Sequence, residues 1–425
     1  MPIDFQLSPT EDSIRKHAAA FAAGPLKAVK AEYMKYSDEK RFQALKPLYG
    51  GATAGGMIKG LIASHLGGGA GRLTEATILV EEMYSADPSA SLTIFATGLG
   101  LTPLNLAAKP EHKEFLEPFL SGEGAPLASL VFSEPGGVAN YLEKGAPGLN
   151  TTATLEGDEW VLNGEKIWAT NCAGWDFEGA DLQCIVCRAT TPKSDEPADA
   201  IMILLVTRAD IERNAAGAFK TLKHVATAGH TACSGPHIKY SNLRVPAKNA
   251  LCQPGEGAAV VTASFDFSAI LVGAMSVSIM RASFEAALAF AKRDNRRGAT
   301  DLLDRQAFAD LLSSIKMKTE ACRALTWKAA HALENGPGNY DARRELALAA
   351  KIYCSEECVK AVTEAIGAVG ITAYDAEQPF GDFLTTAMVL PIFDGGNVGI
   401  RRRHMQSLMS SPTYDPWASS FGPSN

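Results

Sequence analysis

The chain reads as an α+β multidomain protein, with an N-terminal helical domain over residues 1–125, a central β domain over 126–250 and a C-terminal four-helix bundle over 251–425. Three observations predict this. Helix-start signals and apolar residues three and four apart mark the beginning, short runs rich in Thr, Val and Ile broken by turn formers mark the middle, and long alanine-rich segments follow Gly255-Glu256-Gly257. A length of 425 residues agrees with roughly two or three domains.

Ser8-Pro9-Thr10-Glu11 pairs a capping serine with a proline at the first helical position, and a further helix is expected through Thr74–Met83. Between them, Gly67-Gly68-Gly69-Ala70-Gly71-Arg72 is not expected to hold phosphate. No strand of Val and Ile leads into it and no Lys-Ser/Thr follows. In the middle, strands are expected at Thr151–Leu155, Glu159–Gly164, Asp181–Arg188 and Ile201–Thr207. Glu156-Gly157-Asp158 separates the first pair and Asn163-Gly164 ends the second, while Thr191–Pro197 reads as an exposed loop. Long helices are then expected over Ala258–Arg293, Leu302–Asn335 and Ala342–Val369, with one more behind them.

Composition bounds the function. A formal net charge of -7 with 20% charged residues argues against nucleic acid or an anionic membrane as the main partner. The most apolar run, Phe267–Met280, falls short of the roughly 18 residues that span a bilayer and reads as a buried helix. Met1-Pro2-Ile3-Asp4-Phe5 carries no basic or apolar leader and Gly422-Pro423-Ser424-Asn425 no peroxisomal signal, so a cytoplasmic protein is expected.

No metal site is expected. The 8 cysteines do not form a disulfide framework. Cys184 and Cys187 would point to opposite faces of a strand, and Cys354 and Cys358, on one helix face, read as core packing. His224, His230 and His237 sit in a loop-like region without ligand spacing.

Near the C-terminus, Phe393-Asp394-Gly395-Gly396-Asn397-Val398-Gly399-Ile400-Arg401 sets a lone carboxylate between the apolar run Met388–Phe393 and a glycine pair. Partial desolvation makes an ionised carboxylate a stronger base, and the glycines let a planar ligand approach the backbone. The plain alternatives are a turn or helix start at Asp394 and a solvated Arg401.

Together with Leu130-Val131-Phe132-Ser133-Glu134-Pro135-Gly136 and Asn163-Gly164-Glu165-Lys166-Ile167-Trp168-Ala169-Thr170-Asn171, this segment resembles, in order and spacing, the signatures of the acyl-CoA dehydrogenase superfamily of flavoproteins. The resemblance covers essentially the whole chain. Within the superfamily, Phe-Asp-Gly-Gly-Asn is similar to the fungal nitroalkane oxidases, whereas many acyl-CoA dehydrogenases carry a glutamate followed by Gly-Thr. In that superfamily a Gly-Gly-x-Gly turn, matched by Gly68–Gly71, closes a helix-helix corner.

The resemblance implies a bound FAD. Leu130, Val131, Phe132 and Ser133, then Val138, Ala139 and Asn140, then Trp168, Ala169 and Thr170 would surround it, with the Ser133 and Thr170 hydroxyls as hydrogen-bonding groups. Arg296, Arg305 and Gln306 match residues that reach the diphosphate from a neighbouring subunit, Gly367 lies in the segment matching the adenosine side, and Phe393, Gly395 and Gly396 flank the base. A homotetramer with shared sites follows. Glu364–Gly370 departs from the usual Gln-x-x-Gly-Gly pattern, and Val389-Leu390 stand where a cysteine and a tyrosine are expected.

The implied reaction is oxidation of neutral primary and secondary nitroalkanes to aldehydes or ketones, with nitrite and hydrogen peroxide released and oxygen as electron acceptor. Asp394 would remove the α-proton, helped by the field of Arg401 and a hydrogen bond from Ser268. Alternatives are an acyl-CoA dehydrogenase acting on a thioester, a flavin-dependent monooxygenase of the same fold, and a flavin-binding protein without catalysis.

Overall fold

The computed structural model describes residues 5–423. By contact the chain groups into two compact units that cut across the sequential order: residues 28–71 with 89–265, and residues 1–27 with 72–88 and 266–425. Of the terminal segments expected to lack a leader and a peroxisomal signal, Met1–Phe5 and Gly422–Asn425, residues 1–4 and 424–425 lie outside the described residues.

The first unit is built on an eight-stranded sheet. Its strands are β1 (Ala128–Val131), β2 (Thr152–Glu156), β3 (Glu159–Lys166), β4 (Leu182–Ala189), β5 (Ile201–Thr207), β6 (Phe219–Lys223), β7 (His237–Pro246) and β8 (Ala250–Cys252). They lie in the order β6-β7-β3-β2-β4-β5-β8, with β1 parallel to β4. The β2–β3 hairpin sets Leu155 opposite Trp160 and turns at Gly157, whose φ of 66° suits glycine. β4 lies inside the sheet, paired with β1, β2 and β5, and its residues are buried on both faces, so Cys184 and Cys187 are core residues. Val131, Leu162, Ile185, Leu204 and Val245 share that core, each such side chain contributing about 1.5–3 kcal/mol on burial.

Several expectations change here. β3 does not end at Asn163-Gly164; it resumes its pairing with β7 and runs on to Lys166 through a bulge, at which Gly164 is needed because a Cβ there would lie 2.5 Å from Thr151 Cα. Leu130 and Val131 belong to strand β1 rather than to a loop. β6 and β7 have polar alternate residues that hid them and β8 is only three residues long, while His237 starts β7, where its Nε2 lies 2.9 Å from Glu165 Oε2. A Cβ at Gly68 would overlap the Ile62 carbonyl, so this glycine serves close packing.

Beneath the end of β1 sits a buried ion pair. Lys166 Nζ donates to Glu134 Oε1 at 3.0 Å, to Phe132 O at 2.8 Å and to Val186 O at 2.7 Å, with the two side chains 0% and 1% exposed. Glu134 also accepts from Asn150 N at 2.7 Å and Thr151 N at 3.0 Å. This network fixes the segment 132–134 against β3 and β4.

The second unit is helical. Pro9–Phe21 starts where the serine cap predicts, with Ser8 accepting from Glu11 N. It packs, with Leu73–Met83, beside the long helices Gln306–Asn335 and Tyr340–Val369 and the part of Gly257–Ala291 beyond residue 265. Buried Phe308, Leu312, Ile315, Thr319, Cys322 and Thr326 mark one stripe at helical spacing. Leu73, Ile270, Ala329, Leu333, Ala347 and Ala350 form a core in which alanines allow close helix approach. Glu81 accepts from Arg281 and Arg323 there.

Among the described residues the last long helix is followed by short α-helices, Phe380–Val389, Arg402–Met409 and Ala418–Phe421. The apolar run at 267–280 is part of a 35-residue helix, so the expectation that it is too short to span a bilayer is corrected. That helix and Pro88–Ala107 are long and apolar enough by length and composition, yet 50% and 61% of their apolar windows are buried inside the protein. All 8 cysteines are buried, and no group of metal-ligating side chains occurs among the described residues.

Candidate active site

Phe380–Val389 ends at Leu390, and the chain then loops before a single π-helical turn at Asn397–Arg401, an irregularity common at functional sites. Asn397 N donates to Pro391 O at 2.9 Å and closes the loop. Asp394 at its centre has φ 54°, a left-handed conformation costing a non-glycine residue about 1–3 kcal/mol, and Gly395 follows at φ 77°. The turn expected as the plain alternative is present, and it carries a buried carboxylate.

Two side chains converge on that carboxylate. Ser268 Oγ, from the Gly257–Ala291 helix, donates to Asp394 Oδ1 at 2.7 Å. Arg401 Nη2 donates to Asp394 Oδ2 at 3.1 Å and to its carbonyl oxygen at 2.7 Å, while Nε donates to the same carbonyl at 3.1 Å. The side chains of Arg401 and Asp394 are 1% and 7% exposed, so Arg401 is not a solvated charge. Burial pushes the Asp394 carboxyl above its ordinary value, opposed by the Arg401 charge, the Ser268 hydrogen bond and the charge of Lys351. The result is a carboxylate that holds a proton more readily than a solvated one.

The sequence pattern missed the shell behind these groups. Asp266 lies 3.7 Å from Arg401 Nη1 and accepts from Arg344 Nε at 2.8 Å and Tyr340 Oη at 3.1 Å. Burial raises its carboxyl, opposed by Arg344 and Arg401. Lys351 Nζ donates to Asn397 Oδ1 at 2.7 Å. A signal existed for Lys351, which falls on the apolar stripe of its helix with Ala347, Leu348, Cys354 and Cys358. Asp266 gave none.

Within the sheet-containing unit the two expected flavin segments are neighbours, since Ile167 N donates to Ser133 O at 3.0 Å and Ser129 Oγ to Thr170 O at 2.7 Å. Leu130, Val131, Phe132 and Ala169 are buried, Ser133 and Thr170 half-buried, and Val138, Ala139 and Asn140 lie on a partly exposed turn. Trp168 keeps 54% of its surface exposed with φ 68°. An uncovered indole held in a strained backbone beside two accessible hydroxyls suits a planar ring, so these residues fit a flavin.

In the helical unit, Arg305, Gln306 and Gly367 are exposed and Phe393, Gly395 and Gly396 flank Asp394. Arg296 is tied down within its own chain. It donates to Val369 O and, at 3.1 Å, to Thr372 Oγ1, where its charge complements a helix C-terminus.

Comparison with known proteins agrees with this geometry. The chain matches the acyl-CoA dehydrogenase N-terminal domain over residues 8–123 and the C-terminal domain over 255–408. It is 64% identical over 427 residues to a nitroalkane oxidase from Podospora anserina, covering 99% of each chain. The chain belongs to the nitroalkane oxidase family. As a member of that family it is a flavoprotein oxidoreductase within the acyl-CoA dehydrogenase superfamily.

The solved Podospora enzyme superposes with a TM-score of 0.97 over 99% of this chain and 100% of its own. The nitroalkane oxidase of Fusarium oxysporum is 44% identical over 431 residues, covering 99% of this chain and 98% of its own. A nitroalkane oxidase active-site mutant, an aspartate changed to asparagine, crystallised with 1-nitrooctane, is 43% identical with a TM-score of 0.96, covering 99% and 100% of the two chains. Work on that enzyme names an aspartate, an arginine 7 residues beyond it and a serine 126 residues before it, the intervals that Asp394, Arg401 and Ser268 keep in this chain.

Proposed function

We propose that this chain oxidises neutral primary and secondary nitroalkanes to aldehydes or ketones, with Asp394 removing the α-proton. Membership of the nitroalkane oxidase family supports the reaction. The observation that carries the residue assignment is the buried Asp394 carboxylate held by Ser268 and Arg401. For nitroethane the atoms balance as nitroethane, oxygen and water giving acetaldehyde, nitrous acid and hydrogen peroxide.

The α-proton of a nitroalkane leaves slowly, because charge must move onto the nitro oxygens. A fixed base removes the cost of bringing one into line. Asp394 accepts the proton in the form its surroundings prepare: Arg401 and Ser268 keep it ionised, and burial keeps it basic. Arg401 also fixes the Asp394 main chain, so the carboxylate cannot swing out of line. Its positive field favours the carbanion as charge develops. Ser133, Trp168 and Thr170 in one unit, and Arg305, Gln306 and Gly367 in the other, would hold FAD, with the latter group serving a neighbouring subunit of a homotetramer in the cytoplasm. When bound, the flavin takes up the electrons of the oxidation and passes them to oxygen.

The test is anaerobic mixing of the yellow protein with nitroethane and, separately, with butyryl-CoA. Flavin bleaching with nitroethane alone, and nitrite on readmission of air, is expected. Bleaching by the thioester alone would make the chain a dehydrogenase of acyl-CoA with an unusually short base.

A further inference from the structure

Lys351 is fully buried on the inward stripe of the Tyr340–Val369 helix. Its Nζ donates to Asn397 Oδ1 at 2.7 Å and to Pro391 O at 3.3 Å, and both acceptors are neutral. Asn397 N returns to Pro391 O at 2.9 Å. The Asn397 amide is used as well, its Nδ2 donating to Ser355 Oγ at 3.0 Å and Glu356 Oε1 at 3.1 Å on the same helix. One ammonium therefore ties both ends of the loop 391–397, with Asp394 between them, to a rigid helix.

A buried ammonium is costly, and an apolar side chain would fill this stripe more cheaply. The titratable groups of the surrounding elements are otherwise paired or neutral. Asp266 and Asp394 contribute negative charge, and Arg344 and Arg401 match them. Glu356 and Arg402 pair with each other at 2.6 Å. His404, from the Arg402–Met409 helix, is pushed down to about 4 by burial and nearby arginines and is neutral near neutrality. Tyr340 is held in its neutral form by burial and the adjacent Asp266. Among these, Asp394, Arg401 and Glu356 act on Lys351 directly, and its ammonium adds one positive charge beside the Asp394 carboxylate. Burial pushes its ammonium down to about 7 while the Asp394 charge supports it, so it is protonated in the acid range.

We infer that Lys351 is a positioning residue for proton abstraction: latched through Asn397 and Pro391, it holds the Asp394 loop and adds a second positive charge that keeps the carboxylate ionised. This rests on the reading of Asp394 as the base.

The test uses the holoenzyme with Lys351→Met, which removes donor and charge, and Lys351→Gln, which keeps a neutral donor toward Asn397. The pH profile of kcat/KM with nitroethane is measured for each. Loss of the ammonium favours the protonated carboxyl, so the acid limb moves to higher pH in both variants, by about one pH unit. Below the limb kcat/KM falls about tenfold. Lys351→Gln regains the wild-type plateau at high pH and Lys351→Met stays below it, separating charge from latch. An acid limb unchanged in Lys351→Gln overturns the inference, and that variant decides alone should Lys351→Met not accumulate as folded yellow protein. If wild type releases no nitrite, or Asp394→Asn keeps full activity, the base reading itself fails. If wild type acts through Asp394 and the Lys351 variants share its acid limb, only the role of Lys351 fails.

Discussion

Arg401 holds Asp394 by its main chain and its side chain at once, Nη2 lying 2.7 Å from the carbonyl oxygen and 3.1 Å from carboxylate Oδ2. Backbone strain and base strength are therefore set by the same guanidinium. A lysine offers a point charge without the planar fork and cannot make both contacts together. Arg401→Lys should lower kcat/KM for nitroethane about 100-fold, with kcat and kcat/KM falling together, since the lost interactions serve the transition state. Steady-state kinetics on flavin-loaded protein check this.

Ser268 acts on the carboxylate. Its hydroxyl donates to Asp394 Oδ1 at 2.7 Å, and a hydrogen bond to the ionised form favours ionisation. In Ser268→Ala the carboxyl rises further, so the acid limb of kcat/KM moves to higher pH. Below it the rate falls about tenfold, the usual value of a hydrogen bond to a charged group. A pH profile with the limb unmoved would remove Ser268 from the account.

Gly395 is needed for two reasons. Its φ is 77°, and a Cβ there would lie 3.0 Å from Arg401 Nε. Gly395→Ala should cost about 1 kcal/mol or more in backbone strain and displace the guanidinium. kcat should fall while the thermal midpoint changes little, as read by kinetics and a melting curve on the same sample.

The Glu134–Lys166 pair makes a stability prediction remote from proton transfer. Lys166→Met leaves the carboxylate of Glu134, 1% exposed, without its cation. Removing one partner of a buried pair costs about 3–5 kcal/mol. A lower denaturant midpoint is expected, together with weaker retention of flavin because Lys166 also holds Phe132 O.

How much of this was legible in the sequence follows from what is contiguous. Asp394, its glycines and Arg401 lie within one short segment; the apolar run before them is itself largely uncovered, Met388 being 54% and Ile392 71% exposed, and it is Ser268 and Arg401 that enclose the carboxylate. Ser268 came through family resemblance, because 126 residues separate it from Asp394. Asp266, Tyr340 and Arg344 are joined to Arg401 only by folding, and a polar residue on a long helix carries no label of its partner. Lys351 was readable in principle, as a cation on an otherwise apolar helical stripe. In the sheet, β4 and β5 were plain because both faces are buried. β6 and β7 alternate with exposed polar residues, and Gly164 looked like a turn because a bulge and a turn share the same residue preference.

The central claim is that Asp394 takes the proton from neutral substrate. The most direct measurement compares Asp394→Asn with wild type on neutral nitroethane and on its preformed nitronate anion, which has already lost that proton. The account predicts a fall of about 100-fold to 10,000-fold on the neutral substrate and near wild-type oxidation of the anion. Equal activity of both proteins on neutral nitroethane would contradict it.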